Sequence, residues 1–229
     1  MHELAVHKAS IMHEVFNLDI EKKYSYADYV NWSFAERIEL IRGRIFKMPP
    51  SPMARHQITV QNIDGLVWSY LRGKPCRVFH APFDVRLPLP ETLKKTFKPL
   101  KKNEKYIFTN IPDDQIFTVV QPDICVICQL AKIDRRGCLG APDWIVEVIS
   151  KETAHMDVHE KFQLYEEAGV KEYWLVTPDV KQVTVFDLNE VNKYQLRKMY
   201  AAPDVIPVHI FPDLVIDLNE VFDWQEEEY

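Results

Sequence analysis

The sequence predicts an α/β fold in which helices flank a mixed central β-sheet. Residues 53–71 and 157–168 each carry apolar residues at helical spacing. Three strand-like runs lie between these helices, CRVFHAPFDVRL, IFTVVQPDICVICQ and DWIVEVIS, and a fourth, EYWLVTP, follows the second helix. The order α-β-β-β-α-β, with extra strands at the C-terminus, is typical of a mixed sheet covered by helices.

Local signals predict the bounds of several elements. Ser25 is a suitable N-cap for a short helix in SYADYVNWSF, and RIELIRGRIFKM has the pattern of a hairpin that turns at Arg42 and Gly43. Gly73 ends the first long helix and Gly169 the second. After the fourth strand, QVTVFDL predicts a meander strand, and shorter strands continue from YQLRKMY to FPDLVIDL.

Composition is that of an ordinary globular protein of one domain. The 229 residues are 47% hydrophobic and 27% charged, with a net charge of −6 that argues against a broadly basic, nucleic-acid-coating surface. We expect a weakly ordered leader over 1–23 and one domain over 24–229, with a lysine-rich insertion at about 88–114. No apolar run reaches the roughly 20 residues that span a bilayer, and the opening is a poor signal peptide. These features predict a cytoplasmic protein.

Two cysteines, Cys125 and Cys128, form a C-x-x-C that could indicate zinc or redox chemistry. Their odd spacing on a predicted strand places the sulfur atoms on opposite faces, and no second C-x-x-C follows. We therefore predict two buried structural thiols.

Two charged residues fall where charge is costly. Glu147 interrupts the apolar strand DWIVEVIS, and Lys161 lies on the apolar stripe of the second helix, so both should point toward the same core. Asp143 is a poor partner for Glu147 at one metal, because four residues along a strand span roughly 13 Å. If the preceding strand pairs antiparallel with this one across the single long turn LAKIDRRGCLG, Asp123 can lie beside Glu147, and Asp84 on the strand before could supply a third oxygen.

Converging carboxylates and one lysine can hold a divalent ion and position a water beside it. The alternative is a buried structural ion pair between Glu147 and Lys161, because such pairs can look like active sites.

The order of these motifs resembles the Uma-type restriction-endonuclease family, of the PD-(D/E)XK nuclease superfamily. The resemblance rests on RIELIRGRIFKMPPSPMARHQ, APFDVRL, VQPDICVIC, GAPDWIVEVIS and the run from a helical Asp and Lys to GVKEYWLVTP, and it spans roughly residues 26–222. It implies a restriction-endonuclease-like core with Asp123 and Glu147 as metal-binding carboxylates. The superfamily lysine two residues after the glutamate is replaced here by Ile149, and the resemblance implies that Lys161 takes its role.

The resemblance implies a Mg²⁺- or Mn²⁺-dependent endonuclease that hydrolyses DNA, with the Val148 carbonyl completing the oxygen shell. Lys161 would orient or help to deprotonate the attacking water, or neutralise charge on the phosphorane. A homodimer is expected, since cutting both strands needs two sites. A catalytically silent binding module and a hydrolase of a smaller phosphoester are the alternatives.

Three further features have two interpretations each. Glu39 and His56 match family positions, but Glu39 could be a solvated strand residue and His56 a capping or supporting residue. The lysine-rich run could clamp the DNA backbone or form a solvated loop. Its candidate DNA-binding residues are Lys94, Lys95, Lys98, Lys101 and Lys102.

Overall fold

A computed structural model describes residues 18–19, 21–34, 36–48, 53–88, 111–149 and 156–224. Most of the predicted leader and of the lysine-rich insertion lies outside these residues, including all the candidate DNA-binding lysines. For residues 156–158 the backbone is described. No helix within the described ranges has the length and apolar character needed to cross a membrane.

Two six-stranded sheets form the framework of the described chain. The first has the order β2-β1-β5-β4-β8-β7 and comprises β1 (Ile38–Ile41), β2 (Arg44–Lys47), β4 (Val85–Arg86), β5 (Val119–Val120), β7 (Ile133–Asp134) and β8 (Gly137–Leu139). The second has the order β12-β11-β10-β9-β6-β3 and comprises β3 (Arg77–His80), β6 (Ile124–Ile127), β9 (Trp144–Val148), β10 (Glu172–Thr177), β11 (Gln182–Leu188) and β12 (Tyr194–Ala201). Strands β9 and β10 are parallel and β6 pairs antiparallel with β9, so the second sheet is mixed, as predicted.

Four α-helices and a small third sheet complete the described fold. The helices are α1 (Tyr26–Tyr29), α2 (Ala54–Leu71), α3 (Phe162–Ala168) and α4 (Leu218–Val221), and β13 (Val205–Pro207) pairs with β14 (Val215–Asp217). Asp28 accepts a hydrogen bond from the Ser25 backbone N–H at 2.8 Å, which caps α1. The predicted hairpin is confirmed: β1 and β2 meet at Arg42 and Gly43, both with positive φ.

Two runs that predicted single strands each contribute to both large sheets. CRVFHAPFDVRL is divided into β3 and β4, and IFTVVQPDICVICQ into β5 and β6. Each break contains a proline, Pro82 or Pro122, which has no N–H to donate to a sheet ladder. The chain therefore leaves one sheet and enters the other next to Asp84 and Asp123.

The connection from β6 to β9 also differs from the predicted simple turn. The two strands pair antiparallel, with Ile124 opposite Val146, but the intervening chain forms the β7–β8 hairpin of the first sheet. A single long turn was thus the wrong prediction. The short strands β7 and β8 pair with each other, and β8 also pairs with β4 of the first sheet. The local sequence does not show that this sheet is their partner.

The predicted second helix begins with a wider turn. A π-helical segment covers Met156–Lys161, and regular α-helix runs through α3 until Gly169, whose φ of 88° ends it as predicted. The prediction assumed 100° per residue throughout, and nothing in the sequence signals the π-turn. Lys161 is the last residue of that turn, a type of irregularity often found at functional sites.

One of the predicted structural thiols is part of a disulfide. Cys128 is bonded to Cys76, 52 residues earlier, whereas Cys125 is a buried free thiol, as is Cys138. Cys125 and Cys128 do pack in different apolar clusters, which agrees with their predicted opposite faces. The C-x-x-C spacing gave no indication of the distant partner.

The apolar core lies on both faces of the second sheet. Trp144, Val146 and Val148 of β9 face the larger cluster with α2 and α4, where the rings of Trp144 and Trp174 lie 4.7 Å apart. Ile145 faces the other cluster, which includes Tyr165 of α3. Since side chains alternate along a strand, Glu147 shares the face of Ile145 and points toward the junction with the first sheet.

Candidate functional site

A cluster of ionisable side chains lies at the junction of the two large sheets. Glu39 comes from β1 of the first sheet, Asp123 stands immediately before β6, Glu147 lies on β9, and Lys161 ends the π-turn. The charged side chains therefore come from three parts of the fold: the first sheet, the second sheet and the helical segment that ends at Lys161. Glu39, Glu147 and Lys161 are buried.

Lys161 bridges two buried glutamates. Its Nζ lies 3.0 Å from Glu147 Oε1 and 3.2 Å from Glu39 Oε1, and its side chain is 1% exposed. An ammonium in that environment needs charged partners, because an unpaired buried charge is strongly destabilising. The two glutamates supply them, which accounts for both of the charges that interrupt apolar patterns in the sequence.

Tyr165 completes the environment of Glu147. Its hydroxyl donates a hydrogen bond to Glu147 Oε1 at 2.7 Å. Burial, followed by the charge of Glu147, raises the pKa of Tyr165 well above its usual value, so the phenol remains a donor. Glu147 Oε1 is consequently fixed by an ammonium and a hydroxyl, and Oε2 is directed toward Asp123.

Asp123 and His56 form the accessible side of the cluster. The Val148 N–H donates to Asp123 Oδ2 at 2.8 Å, and His56 Nε2 lies 3.3 Å from the same oxygen. The Asp123 N–H donates to Glu147 Oε2 at 3.4 Å, which ties the two acidic residues together. The side chains of Asp123 and His56 are 18% and 12% exposed, so solvent reaches the site here rather than at Lys161.

Asp84 is connected to this cluster through Gln121. Asp84 Oδ1 accepts from Gln121 Nε2 at 2.9 Å and from the Tyr29 hydroxyl at 3.2 Å. The Gln121 N–H in turn donates to Glu39 Oε1 at 2.7 Å. Burial raises the pKa of Asp84, and the hydrogen bonds from Gln121 and Tyr29 oppose that rise.

The donor chemistry of the junction suits a hard divalent cation. No group of three or more His, Cys, Asp or Glu side chains in the described ranges is arranged as a complete metal site. Mg²⁺, however, is commonly held by one or two carboxylates plus waters, and Asp123 and Glu147 provide two. Glu39 Oε2 is buried and has no hydrogen-bond partner among the described residues, which also favours a further ligand or cation at the junction.

Sequence reasoning identified part of this arrangement. Asp123, Glu147, Lys161, Glu39 and His56 lie in one connected cluster. Asp84 joins it indirectly, and Val148 contacts it through its N–H.

Tyr165 and Gln121 were missed. The ring of Tyr165 fits the apolar stripe of the second helix, and its spacing of four residues from Lys161 is the signal that it shares the helix face. Gln121 carries no comparable signal.

A family model matches part of the chain. Residues 109–219 match the Uma2 family, described as "Putative restriction endonuclease". The resemblance found in the sequence is thereby confirmed, and the Uma2 segment contains Asp123, Glu147 and Lys161 but begins after Glu39 and His56. No curated protein matches the chain.

A solved structure confirms the fold class. It is the crystal structure of a protein described as a "putative nuclease belonging to DUF820" from Anabaena variabilis, with 18% sequence identity and a TM-score of 0.64. The match covers 88% of this chain and 98% of that chain. At this identity the likeness shows a shared fold, the predicted mixed α/β architecture.

Proposed function

We propose that this protein is a metal-dependent endonuclease that hydrolyses phosphodiester bonds in DNA. The observation that carries the proposal is the adjacent pair Asp123 and Glu147, with Lys161 behind Glu147 at 3.0 Å. The Uma2 match supports it, since that family model is described as "Putative restriction endonuclease", a description that implies a nucleic-acid substrate.

In this proposal Asp123 and Glu147 would hold Mg²⁺ or Mn²⁺. The Val148 carbonyl and Asp84 are the further oxygen donors of the proposed site, and waters would complete the shell. The bound ion would supply Lewis-acid polarisation of the scissile phosphate and stabilisation of the leaving oxygen.

The protein's own groups would perform the remaining tasks. Lys161 and Tyr165 hold Glu147 Oε1, so the glutamate presents its other oxygen toward Asp123. The Lys161 ammonium would also offset negative charge that develops on the phosphorane. His56 holds Asp123 Oδ2 on the side of the site that solvent reaches.

Plasmid nicking in Mg²⁺ or Mn²⁺ tests the proposal. We expect Asp123→Asn and Glu147→Gln each to reduce the nicking rate by at least about 100-fold. Glu172→Gln is the matched control, because Glu172 is also a buried, ion-paired glutamate but pairs with Arg197 away from this site. Nicking that survives in Asp123→Asn and Glu147→Gln, or that is lost equally in Glu172→Gln, would contradict the assignment.

Substrate and assembly can be tested with the same preparation. Faster hydrolysis of a small nucleotide diester than of plasmid would contradict DNA as the substrate. We propose a homodimer, because paired cuts in duplex DNA need two sites; sedimentation at one subunit mass under cleaving conditions would contradict it.

The lysine-rich insertion is proposed to contact the DNA backbone. Neutralising Lys94, Lys95 and Lys98 to Gln should flatten the dependence of affinity on salt concentration. An unchanged salt dependence would remove the insertion from the interface.

A further inference from the structure

A cleft lined by aromatic and polar side chains lies next to Gln121 and Asp84. We call it the aromatic cleft; its lining includes Tyr29, Trp32, Phe34, Arg37, Asp84 and Gln121. Its volume is about 630 Å³, within the usual range for sites that bind small organic groups. The cleft combines ring faces with a polar floor, which distinguishes it from an ordinary apolar groove.

Three half-buried aromatic side chains form one wall. The Trp32 ring lies 5.3 Å from Phe34 and 6.1 Å from Tyr29, measured between ring centroids. The capped helix α1 supports Tyr29, and Tyr24 packs edge-on against Trp32 at 5.0 Å. Aromatic rings that are supported from behind and open to a cleft are suited to stacking with a planar ring.

Arg37 adds positive charge at the rim. Its Nε and Nη2 donate to Gln121 Oε1 at 3.1 and 2.8 Å, which holds the guanidinium over the cleft. Two carboxylates, Glu36 and Asp84, also line the cleft. Neither forms an ion pair with Arg37 in the described part of the chain, so the charge of Arg37 is available to an anionic ligand. A ligand that stacks a planar group on these rings and places a phosphate at Arg37 would have the chemistry of a nucleotide.

Gln121 connects the aromatic cleft to the proposed catalytic residues. Its amide contacts Arg37 and Asp84 in the cleft, while its backbone N–H contacts Glu39, the partner of Lys161. A ligand in the cleft would therefore be one residue away from the carboxylate cluster. Because Gln121 connects the two sites, we expect the group bound in the cleft to be part of the substrate that is cleaved.

We propose that the aromatic cleft binds an unpaired nucleobase of the strand that is cleaved. This inference rests on the proposed nuclease function and refines it, since bases inside a duplex are stacked and unavailable to such a cleft. The substrate would accordingly be single-stranded DNA, or duplex DNA opened locally at the cleaved position.

Binding without cleavage tests the inference separately from catalysis. In EDTA, a short single-stranded oligodeoxynucleotide should quench the fluorescence of Trp32 and bind more tightly than an abasic strand of the same length and charge. Stacking on one base contributes roughly 10- to 100-fold in affinity, so the abasic strand should be weaker by that factor. This comparison needs no substitution and cannot be confused with misfolding.

Two tryptophan variants locate the binding. Trp32→Phe should remove most of the quenching, and Trp32→Ala should weaken binding by about 10-fold or more. Trp68→Phe is the control, because Trp68 is 57% exposed on α2 and does not line the cleft; it should leave the quenching unchanged. A melting temperature measured for each variant verifies that it is folded.

Equal affinity for the normal and abasic strands, or quenching that persists in Trp32→Phe, would overturn the inference. A ribonucleotide strand of the same sequence shows whether DNA or RNA is the preferred source of the base, and preference for either supports base binding. If base binding is found but no metal supports nicking, the proposed function fails and only the binding of a base in the cleft stands. If nicking is found without base binding, the proposed function stands and the inference about the cleft fails.

Discussion

Replacing Lys161 by Met is the most informative single perturbation of the buried cluster. Methionine has a similar length and is apolar, so the change removes charge while preserving most of the packing. Glu147 and Glu39 would then remain buried without the ammonium that lies 3.0 and 3.2 Å from them. Removing one partner of a buried ion pair typically costs about 3 to 5 kcal/mol.

That cost is a large part of the stability of the whole protein. Domains have free energies of unfolding of about 5 to 15 kcal/mol, so the Lys161→Met protein should be folded but fragile. In urea the transition midpoint should fall by roughly 1 to 2 M. Equilibrium unfolding followed by far-ultraviolet circular dichroism measures this change.

Lys171→Met provides a control with a shorter ion pair. Lys171 Nζ lies 2.6 Å from Asp143, but its side chain is 65% exposed, so water already solvates the charge. Its replacement should cost less than about 1 kcal/mol. Burial, rather than distance, would then account for the difference between the two lysines.

A second substitution tests the cause of the loss. Glu39→Gln in the Lys161→Met background removes one of the uncompensated charges, and the pair should show a coupling of at least about 1 kcal/mol. Equal losses for Lys161→Met and Lys171→Met, or strict additivity with Glu39→Gln, would refute the view that Lys161 compensates buried carboxylates.

Three other predictions concern the cap, the disulfide and the metal. The backbone hydrogen bond from Ser25 lowers the pKa of Asp28 in the folded protein. The ionised carboxylate therefore stabilises the fold above the ordinary carboxyl pKa, and this stabilisation is lost as the pH falls through the lower pKa of the folded state. Asp28→Asn should lower the melting temperature at pH 7 but not near pH 2. Cys76→Ser should lower the free energy of unfolding by up to about 4 kcal/mol and make it insensitive to reductant, whereas Cys138→Ala keeps the disulfide and should still lose stability in reductant. Mn²⁺ at 100 times its dissociation constant should stabilise the protein by about 2.7 kcal/mol, and an equal effect on Asp123→Asn would contradict binding at the proposed site.

The sequence was informative where chemistry and periodicity coincide. Period-two alternation placed Glu147 on one face of β9, and antiparallel pairing of β6 with β9 is what brings Asp123 next to it. Helical spacing directed Lys161 inward even though its own turn is π-helical. A shift of one residue within the helix still leaves a long, flexible amine able to reach the same partners.

The sequence was uninformative where distant segments meet. Strands β4 and β5 join the first sheet, whereas β3 and β6 join the second. The local sequence pattern does not show which of the two sheets a strand will join. The Cys76–Cys128 disulfide and the aromatic cleft have the same origin, since each joins residues far apart in the chain. Gln121 illustrates the limit: nothing local marks it, yet it touches Glu39, Asp84 and Arg37.

Charge balance distinguishes a structural ion pair from a site that receives a cation. A structural role for Lys161 would require one carboxylate, yet in the described part of the chain Glu39, Glu147 and Asp123 lie in one cluster with a single lysine and His56. Buried negative charge in excess of its partners is destabilising, and the unpartnered Glu39 Oε2 adds to that cost. Under the proposed function, a divalent ion at the accessible Asp123 side would offset part of this charge, so the third carboxylate, more than the Lys161 ion pair itself, makes the metal titration the deciding experiment.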